Sequence, residues 1–216
     1  MSRDYGQYCG LARALDVVGD RWNLLIVREL LIGPARYGEL REGLSGIATN
    51  LLTDRLRDLE TAGVIERRLS DDSSAITYAL TPWGAQLRDP INGLIRWSTP
   101  LMVRGPEGDD FRAEGLLVAL PALFAGRVPA DQGVAVGVAV DCVMVQLRAT
   151  ESGVEVARPD GRKLDAVLTA DGALVLGLSA RVLAFDDVRA LVGIEGDESA
   201  LRTFFDAPTS SVDVTA

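Results

Sequence analysis

Residues 48–68, ATNLLTDRLRDLETAGVIERR, combine the pattern of a short helix with a glycine stop and the start of a strand. Thr49 is predicted to cap the helix, because its hydroxyl can accept a hydrogen bond from an unpaired backbone N–H of the first turn. Gly63 is predicted to end the helix, and Val64–Ile65 begin an alternating strand. The apolar face of the helix is formed, at helical spacing, by Leu52, Leu56, Leu59 and Gly63.

The opposite face of this helix carries side chains that can form hydrogen bonds, namely Asn50, Thr53, Asp54 and Arg57. A short helix with an apolar back, a polar front and a hairpin behind it is typical of a winged helix-turn-helix, which places such a helix in the DNA major groove. The alternative, from this stretch alone, is a surface helix whose polar face is solvated. The neighbouring sequence favours the first interpretation.

The sequence before this helix predicts three further helices. The first two cover Cys9–Val18 and Asp20–Ile32, with Asp20 as the N-cap of the second. A short helix at Tyr37–Leu44 and a turn at Ser45-Gly46 come next. A short helix, a tight turn and a longer helix are the elements of a helix-turn-helix.

The sequence after the helix predicts a wing and a further helix. Two strands, Glu66–Ser70 and Ile76–Leu80, flank a polar turn at residues 71–74. Thr81-Pro82 opens the next helix, with a cap and a proline in favoured places, and Pro90 is expected to kink or split it.

The composition predicts a soluble cytoplasmic protein with no membrane partner. Of 216 residues 48% are hydrophobic, yet no apolar run approaches the ~18 residues that span a bilayer, and no apolar signal segment begins the chain. Histidine is absent, which removes His-dependent nucleophilic catalysis and the commonest transition-metal ligand. We therefore expect no enzymatic activity, no metal and no cofactor; the absence of histidine leaves a carboxylate-based enzyme open, but no constellation of residues points to one.

The charge distribution predicts that only the first half meets DNA. The chain carries a net charge of −9; residues 1–98 hold 12 Arg and 13 acidic residues, whereas residues 99–216 hold 10 basic and 18 acidic residues. Because the first half is close to neutral, phosphate contacts have to come from individual arginines rather than from a general positive field.

Residues 8–98 resemble the HxlR-type family of winged-helix transcriptional regulators. The resemblance rests on Cys9 and on the segments ARALDVVGDRW, LTDRLRDLE, IERR and YALTPWG at residues 12–22, 52–60, 65–68 and 78–84. It implies a homodimer that packs through the first helix and the helix after the wing and binds a double-stranded DNA operator. By position it also implies DNA contacts from Tyr37, Thr49, Asn50, Thr53, Asp54 and Arg57.

The chain departs from this family at several of these positions. Asn50 can recognise adenine, and Asp54 can either accept a hydrogen bond from cytosine N4 or lie on a solvated face. The wing tip is acidic at Asp71-Asp72, so Arg67 and Arg68 at the wing base are the better phosphate contacts. Beside the apolar stripe lies Arg55, which is predicted to form a structural ion pair; the alternative is a DNA contact.

The cysteines and tryptophans have competing interpretations. Cys9 matches a family position that some members use to sense oxidants or electrophiles, with Arg3 and Arg13 as candidate stabilisers of its thiolate; the alternative is a small buried hydrophobe. Cys142 is predicted to lie in the core. Trp22 and Trp83 are also predicted core residues, and Trp97 is expected at a dimer or interdomain contact.

The second half predicts an α+β domain after a linker at Pro100–Asp110. A helix at Phe111–Ala125, interrupted by Pro121, precedes four strands in a meander at 133–150, 153–157 and 164–168. Helices at 173–180, 185–191 and 198–205 and a last strand at 192–195 follow. The domain limits are thus 1–99, 100–110 and 111–207, with a disordered tail at 208–216.

This second half is similar to the sterol carrier protein type two fold, which encloses an apolar tunnel for hydrophobic ligands. The similarity rests on TAD at 169–171, DDVRAL at 186–191 and the final GDxxALxxFF at 196–205. Together with the winged helix it favours a DNA-binding regulator, expected to be a repressor, that responds to a hydrophobic small molecule; the alternative is a hydrophobic-ligand carrier whose winged helix serves dimerisation. The candidate ligand-binding residues, which can equally be core, are Leu116, Leu120, Phe124, Val138, Val140, Met144, Leu176 and Phe204.

Overall fold

The computed structural model describes residues 4–69, 75–102, 105, 107–129 and 131–206. It divides into two compact units, Met1–Gly93 and Leu94–Ala216, and the division falls within a helix. The predicted domain limits stay predictions. Residues 103, 104 and 106 of the predicted linker and the whole predicted tail lie outside the described residues.

The first unit is built from helices and one hairpin. Its elements are α1 (Gly10–Val18), α2 (Asn23–Ile32), α3 (Tyr37–Gly43), α4 (Thr49–Thr61), β1 (Ile65–Leu69), β2 (Ile76–Leu80) and α5 (Arg88–Ser98), which continues into the second unit. The apolar stripe of α4 is buried as predicted, since Leu52, Leu56 and Leu59 expose 2% or less of their surface. Gly63 ends α4 with a φ of +76°, a conformation that glycine adopts without strain.

The predicted helix caps Thr49 and Asp20 are both wrong. Thr49 is the first residue of α4, and Ala48 before it has the extended backbone of an N-cap. The second helix begins at Asn23, because residues 20–22 form a turn in which the Asn23 N–H donates to the Asp20 carbonyl at 3.0 Å. The Asp20 carboxylate is instead bound by an arginine of α4.

The wing is a regular antiparallel hairpin. The register runs from Ile65 opposite Leu80 to Leu69 opposite Ile76. The predicted turn, including Asp71 and Asp72, lies outside the described residues.

Pro90 and Trp83 differ from their predicted places. A 3₁₀ turn at Gly84–Leu87 precedes α5, so Pro90 lies in the first turn of that helix, where its missing N–H removes no intrahelical hydrogen bond. Trp83 is 53% exposed rather than buried. The close packing is made by its neighbour Gly84, whose backbone lies against the Val64 carbonyl so closely that a Cβ would not fit.

The second unit contains a five-stranded sheet with helices, which confirms the α+β class. Its elements are α6 (Leu116–Phe124), β3 (Ala135–Val140), β4 (Val143–Thr150), β5 (Gly153–Ala157), β6 (Ala166–Thr169), α7 (Gly172–Ser179), α8 (Phe185–Val188), β7 (Gly193–Gly196) and α9 (Glu198–Phe205). Pro121 lies inside α6 without ending it, contrary to the prediction. The sterol-carrier-like identity of this unit stays a prediction.

The sheet order is β5-β4-β3-β6-β7, so the predicted four-stranded meander is wrong at its last strand. Strands β3, β4 and β5 form an antiparallel meander, but β6 pairs parallel to β3. Asp165 fixes this pairing at the start of β6. Its N–H donates to the Ala135 carbonyl at 2.7 Å, and its carboxylate accepts from the Ala135 N–H at 2.9 Å.

Cys142 is exposed, so its predicted place in the core is wrong. It occupies the two-residue turn between β3 and β4 together with Asp141, whose φ is +52°. Asp141, the polar residue within the apolar run, therefore marks a hairpin turn, and the position of Cys142 in this turn exposes its thiol to solvent. Among the helices of the described ranges, none has the length and apolar content needed to cross a bilayer.

Candidate nucleic-acid interface

The polar face of α4 is presented outward on a helix that the core holds in place. Asn50, Thr53, Asp54 and Arg57 are all exposed, whereas the opposite stripe of leucines is buried. Exposed hydrogen-bonding groups on one side of a well-packed helix are the physical requirement for contact with base edges in a groove.

Tyr37 joins α3 to the first turn of α4. Its hydroxyl donates to the Thr49 carbonyl at 2.9 Å and lies 3.3 Å from the Thr53 hydroxyl, which donates to the same carbonyl at 3.0 Å. A phenol hydroxyl can donate only one hydrogen bond. To donate to a phosphate, as predicted, the Tyr37 hydroxyl would have to give up its hydrogen bond to the Thr49 carbonyl. In this arrangement Tyr37 sets the angle between the two helices of the helix-turn-helix.

Arg55 forms the structural ion pair that its position beside the stripe predicts. It is 8% exposed, Nη1 contacts Asp20 Oδ2, and Nη2 lies 3.4 Å from Asp58 Oδ2. The pair joins the middle of α4 to the turn before α2. It therefore fixes the rotation of α4 about its own axis, and with it the direction in which the polar face points.

The other predicted DNA contacts on α4 differ in the hydrogen bonds and ion pairs that they already form within the protein. The Asn50 Oδ1 atom accepts from the Leu51 N–H at 2.9 Å, which leaves its amide nitrogen as the donor for a base. Arg57 Nη1 lies 3.4 Å from Asp54 Oδ1, with both side chains more than half exposed. An exposed pair of this kind is weak, so Arg57 can exchange Asp54 for a phosphate at little cost.

The two arginines at the wing base are held by carboxylates. Arg67 Nε and Nη2 donate to the two oxygens of Glu60 at 2.9 and 2.8 Å, and this bidentate contact holds the pKa of Glu60 below its ordinary value. Arg68 Nε donates to Glu66 at 2.6 Å. The predicted phosphate contacts of Arg67 and Arg68 therefore compete with acidic neighbours of the same unit.

Arg41 is a further candidate DNA contact, which was not among the predicted site residues. It is exposed in the last turn of α3, and no ion pair or hydrogen bond joins its side chain to the part of the chain that the structure describes. In a helix-turn-helix the helix before the recognition helix crosses the DNA backbone. An arginine in that helix was the signal available in the sequence.

Cys9 is an exposed free thiol, so the interpretation as a buried hydrophobe is wrong. It is the N-cap residue of α1, and the backbone N–H groups of Ala12 and Leu11 lower the pKa of its thiol. Of its candidate stabilisers, Arg13 pairs instead with Asp4 at 2.9 Å and Asp16 at 3.4 Å, and Arg3 lies outside the described residues. The helix N-terminus is thus the group that favours the thiolate.

An apolar groove of about 430 Å³ lies between α1 and the segment after the wing. It is lined by Gly10, Arg13, Ala14, Val17, Val18, Val64, Trp83, Gly84, Gln86, Leu87 and Pro90. On α1, Leu11 is 69% and Leu15 40% exposed. This side of the first unit therefore exposes more apolar surface than single scattered hydrophobes would.

The predicted ligand-binding residues lie mostly in the core of the second unit. Leu176 packs against that core without being fully buried, and Met144 is 36% exposed on β4. The other six predicted residues are buried, each with 2% exposure or less: Leu116, Leu120, Phe124, Val138, Val140 and Phe204. Phe124 contacts Phe204 edge to face, with ring centroids 6.4 Å apart. Ligand binding by these eight residues stays a prediction.

A protein-family model described as HxlR-like helix-turn-helix matches residues 17–105. The HTH-type transcriptional regulator sll1512 of Synechocystis sp. is 36% identical over 84 residues, 38% of this chain and 62% of that protein. The regulator YvaP of Bacillus subtilis is 33% identical over 88 residues, 40% of this chain and 82% of YvaP. The chain spans about three fifths of the length of the first curated relatives that it matches.

The HTH-type transcriptional regulator YodB of Bacillus subtilis is similar over the same share of the chain. It is 31% identical over 86 residues, 39% of this chain and 77% of YodB. A crystal structure of quinone-bound YodB aligns with 31% identity over 42% of this chain and 96% of that chain, at a TM-score of 0.37. The residues that the family model matches include the helix-turn-helix and the wing.

Proposed function

Because the chain belongs to the HxlR-like helix-turn-helix family, we propose that it is a homodimeric DNA-binding transcriptional regulator, and specifically a repressor. The recognition helix is α4, which reads base edges through Asn50, Thr53 and Asp54, while arginines of α4 and the wing bind phosphates. The observation that carries this proposal is the exposed polar face of α4 on a helix fixed by Tyr37 and Arg55.

A mobility-shift titration with the DNA upstream of the protein's own gene, at several salt concentrations, tests this function. Arg57→Ala is expected to weaken binding and to reduce the slope of log K against log salt by about one, because one phosphate contact is lost. Arg57→Lys keeps the charge and is expected to keep the slope. Binding with equal affinity to unrelated DNA, or an unchanged slope in Arg57→Ala, would contradict the assignment.

The apolar side of the first unit supports the homodimer. The groove beside α1 and the exposed Leu11 are surfaces that a second copy would bury. Leu11→Asp is expected to produce monomers in sedimentation equilibrium. Leu191→Asp is the matched control, because Leu191 is 68% exposed in the second unit against 69% for Leu11. A monomeric wild-type protein, or equal effects of both variants, would exclude this interface.

The second unit is the proposed sensor of a hydrophobic small molecule, and binding there shifts the dimer between geometries that fit DNA to different degrees. A ligand can do this only as far as it binds those geometries with different affinity. The separate α+β unit with its own apolar core supports this role.

Cys9 is proposed as a second sensor, a reactive thiol that responds to electrophiles. Its exposure and lowered pKa are the properties that a reactive thiol requires, and the relative YodB has a quinone-bound form. Electrophile addition at the start of α1 would act beside the groove that the partner subunit is proposed to cover.

A further inference from the structure

Three buried polar atoms in the second unit have no hydrogen-bond partner among the residues that the structure describes. They are Nη1 of Arg127, Oγ of Ser179 and Nε of Arg181. Ser179 is fully buried at the end of α7, and Arg127 reaches it from the loop after α6. Buried polar groups in native proteins are nearly always satisfied, by protein, by ordered water or by an ion.

Arg127 is held firmly in this place. Its Nη2 donates to the Ser179 carbonyl at 2.6 Å, and its guanidinium carbon lies 4.9 Å from the centre of the Phe124 ring. Burial, and to a lesser degree the charge of Arg181, lower the pKa of Arg127 to about 10. Arg127 is thus partly desolvated and lies near enough to Arg181 to be repelled by its charge.

Arg181 occupies a position that normally belongs to glycine. The end of α7 is a Schellman motif, in which the Arg181 N–H donates to the Leu178 carbonyl at 3.0 Å and the Val182 N–H to the Gly177 carbonyl at 2.9 Å. The residue after the C-cap in this motif is left-handed, and Arg181 has a φ of +58°. A long cationic side chain is therefore placed here at a cost in backbone strain.

No carboxylate balances these two arginines within the described residues, although the second half of the chain has a surplus of acids. Arg202 of the same unit shows the contrast, since it pairs with Asp186, Glu198 and Asp206 at 2.6–2.9 Å. Exposed arginines can remain unpaired in water at no cost, but half-buried ones cannot.

We propose that Arg127, Ser179 and Arg181 form a binding site for a small oxyanion, either a carboxylate or a phosphate group. One hydroxyl and two guanidinium N–H groups supply three donors, and either group has enough lone pairs to accept them all. The anion neutralises the like-charge pair and satisfies the buried atoms. The site gives the proposed sensor a ligand class, and it rests on the proposed function only for its effect on DNA.

Isothermal titration calorimetry of the full chain, without DNA, tests the site. Octanoate and inorganic phosphate are titrated at constant ionic strength, and octanol serves as the uncharged counterpart of octanoate. We expect one of the two anions to bind and octanol to bind at least about tenfold more weakly than octanoate if the carboxylate is the preferred group. Preference for phosphate over octanoate would identify the phosphate group as the ligand.

Arg181→Gly is the decisive variant, because glycine is favoured at a φ of +58° and the variant keeps the fold. It is expected to weaken anion binding by about tenfold or more. Ser179→Ala is expected to weaken it less. Arg158→Gln is the control, since Arg158 is an exposed arginine of the same unit, and it is expected to bind like the wild type.

Two results would overturn the site. One is that neither anion binds the wild type more tightly than about 10 mM; the other is that Arg181→Gly and Arg158→Gln bind equally well. Since DNA is absent from this experiment, its failure leaves the mobility-shift result untouched. A protein that binds anions but no DNA would refute the regulator and keep the site.

Discussion

Removing the negative partner of Arg55 is expected to destabilise the first unit more than removing Arg55 itself. The Arg55 side chain is 9% exposed, against 35% for Asp20 and 58% for Asp58. In Asp20→Asn the guanidinium keeps its charge in a buried position, and only Asp58, at 3.4 Å and well hydrated, remains to balance it. In Arg55→Met the Asp20 carboxylate can recover hydration, and the methionine fills the space of the arginine stem.

The magnitude follows from this asymmetry. Removing one partner of a buried pair costs about 3–5 kcal/mol, because an uncompensated charge remains. The amide introduced by Asp20→Asn would still offer an acceptor and Asp58 remains, so we expect this variant to cost about 2 kcal/mol. Arg55→Met is expected to cost about 1 kcal/mol, and the double variant should resemble Arg55→Met because no buried charge is left.

Urea unfolding followed by tryptophan fluorescence measures these differences. Two of the three tryptophans, Trp22 and Trp83, lie in the first unit, so their emission reports on its unfolding; Trp97 lies in the part of α5 that belongs to the second unit. With a slope of roughly 2 kcal/mol/M, the Asp20→Asn midpoint should fall by about 1 M and that of Arg55→Met by about half as much. If Arg55→Met is the less stable single variant, the ion pair contributes by attraction rather than by avoiding an unpaired buried charge.

Three further predictions concern the wing, the end of α4 and the N-terminal thiol. Glu60→Gln is expected to strengthen operator binding, because it frees Arg67 from its bidentate contact; weaker binding in a mobility shift would show that Arg67 does not reach phosphate. Gly63→Ala is expected to cost about 1–2 kcal/mol in the same urea assay, since alanine is strained at a φ of +76°, and an unchanged midpoint would contradict that conformation. The pKa of the Cys9 thiol is lowered from the ordinary thiol value of 9.0, so at a pH below 9.0 a larger fraction of Cys9 is thiolate. Iodoacetamide should therefore alkylate Cys9 in the Cys142→Ser variant faster than it alkylates Cys142 in the Cys9→Ser variant. Equal rates would refute an activated thiol.

Local signals in the sequence predicted most of the helices and strands, because helical spacing, glycine stops and alternation depend on neighbours along the chain. The stripe of α4 and its stop at Gly63 are confirmed for this reason. The N-cap at Asp20 failed because a residue 35 positions away, Arg55, takes the carboxylate. A cap preference of about 1 kcal/mol is outweighed when the same group has to neutralise a buried cation.

The same reasoning explains what the sequence could not predict of the candidate sites. The strand partner of β6 is set by Asp165 and Ala135, which are 30 positions apart, so alternation alone left the meander as the simplest order. The anion site has even less signal, since Arg127 and Arg181 are ordinary charged residues until the fold brings them together without an acid between them. Only the left-handed backbone at Arg181 distinguishes it from a surface arginine, and that conformation depends on how α7 ends against the loop that follows it. Arg181→Gly changes the backbone strain and the side chain in opposite senses. It relieves the strain of the left-handed backbone, and it removes the guanidinium that is proposed to bind the anion.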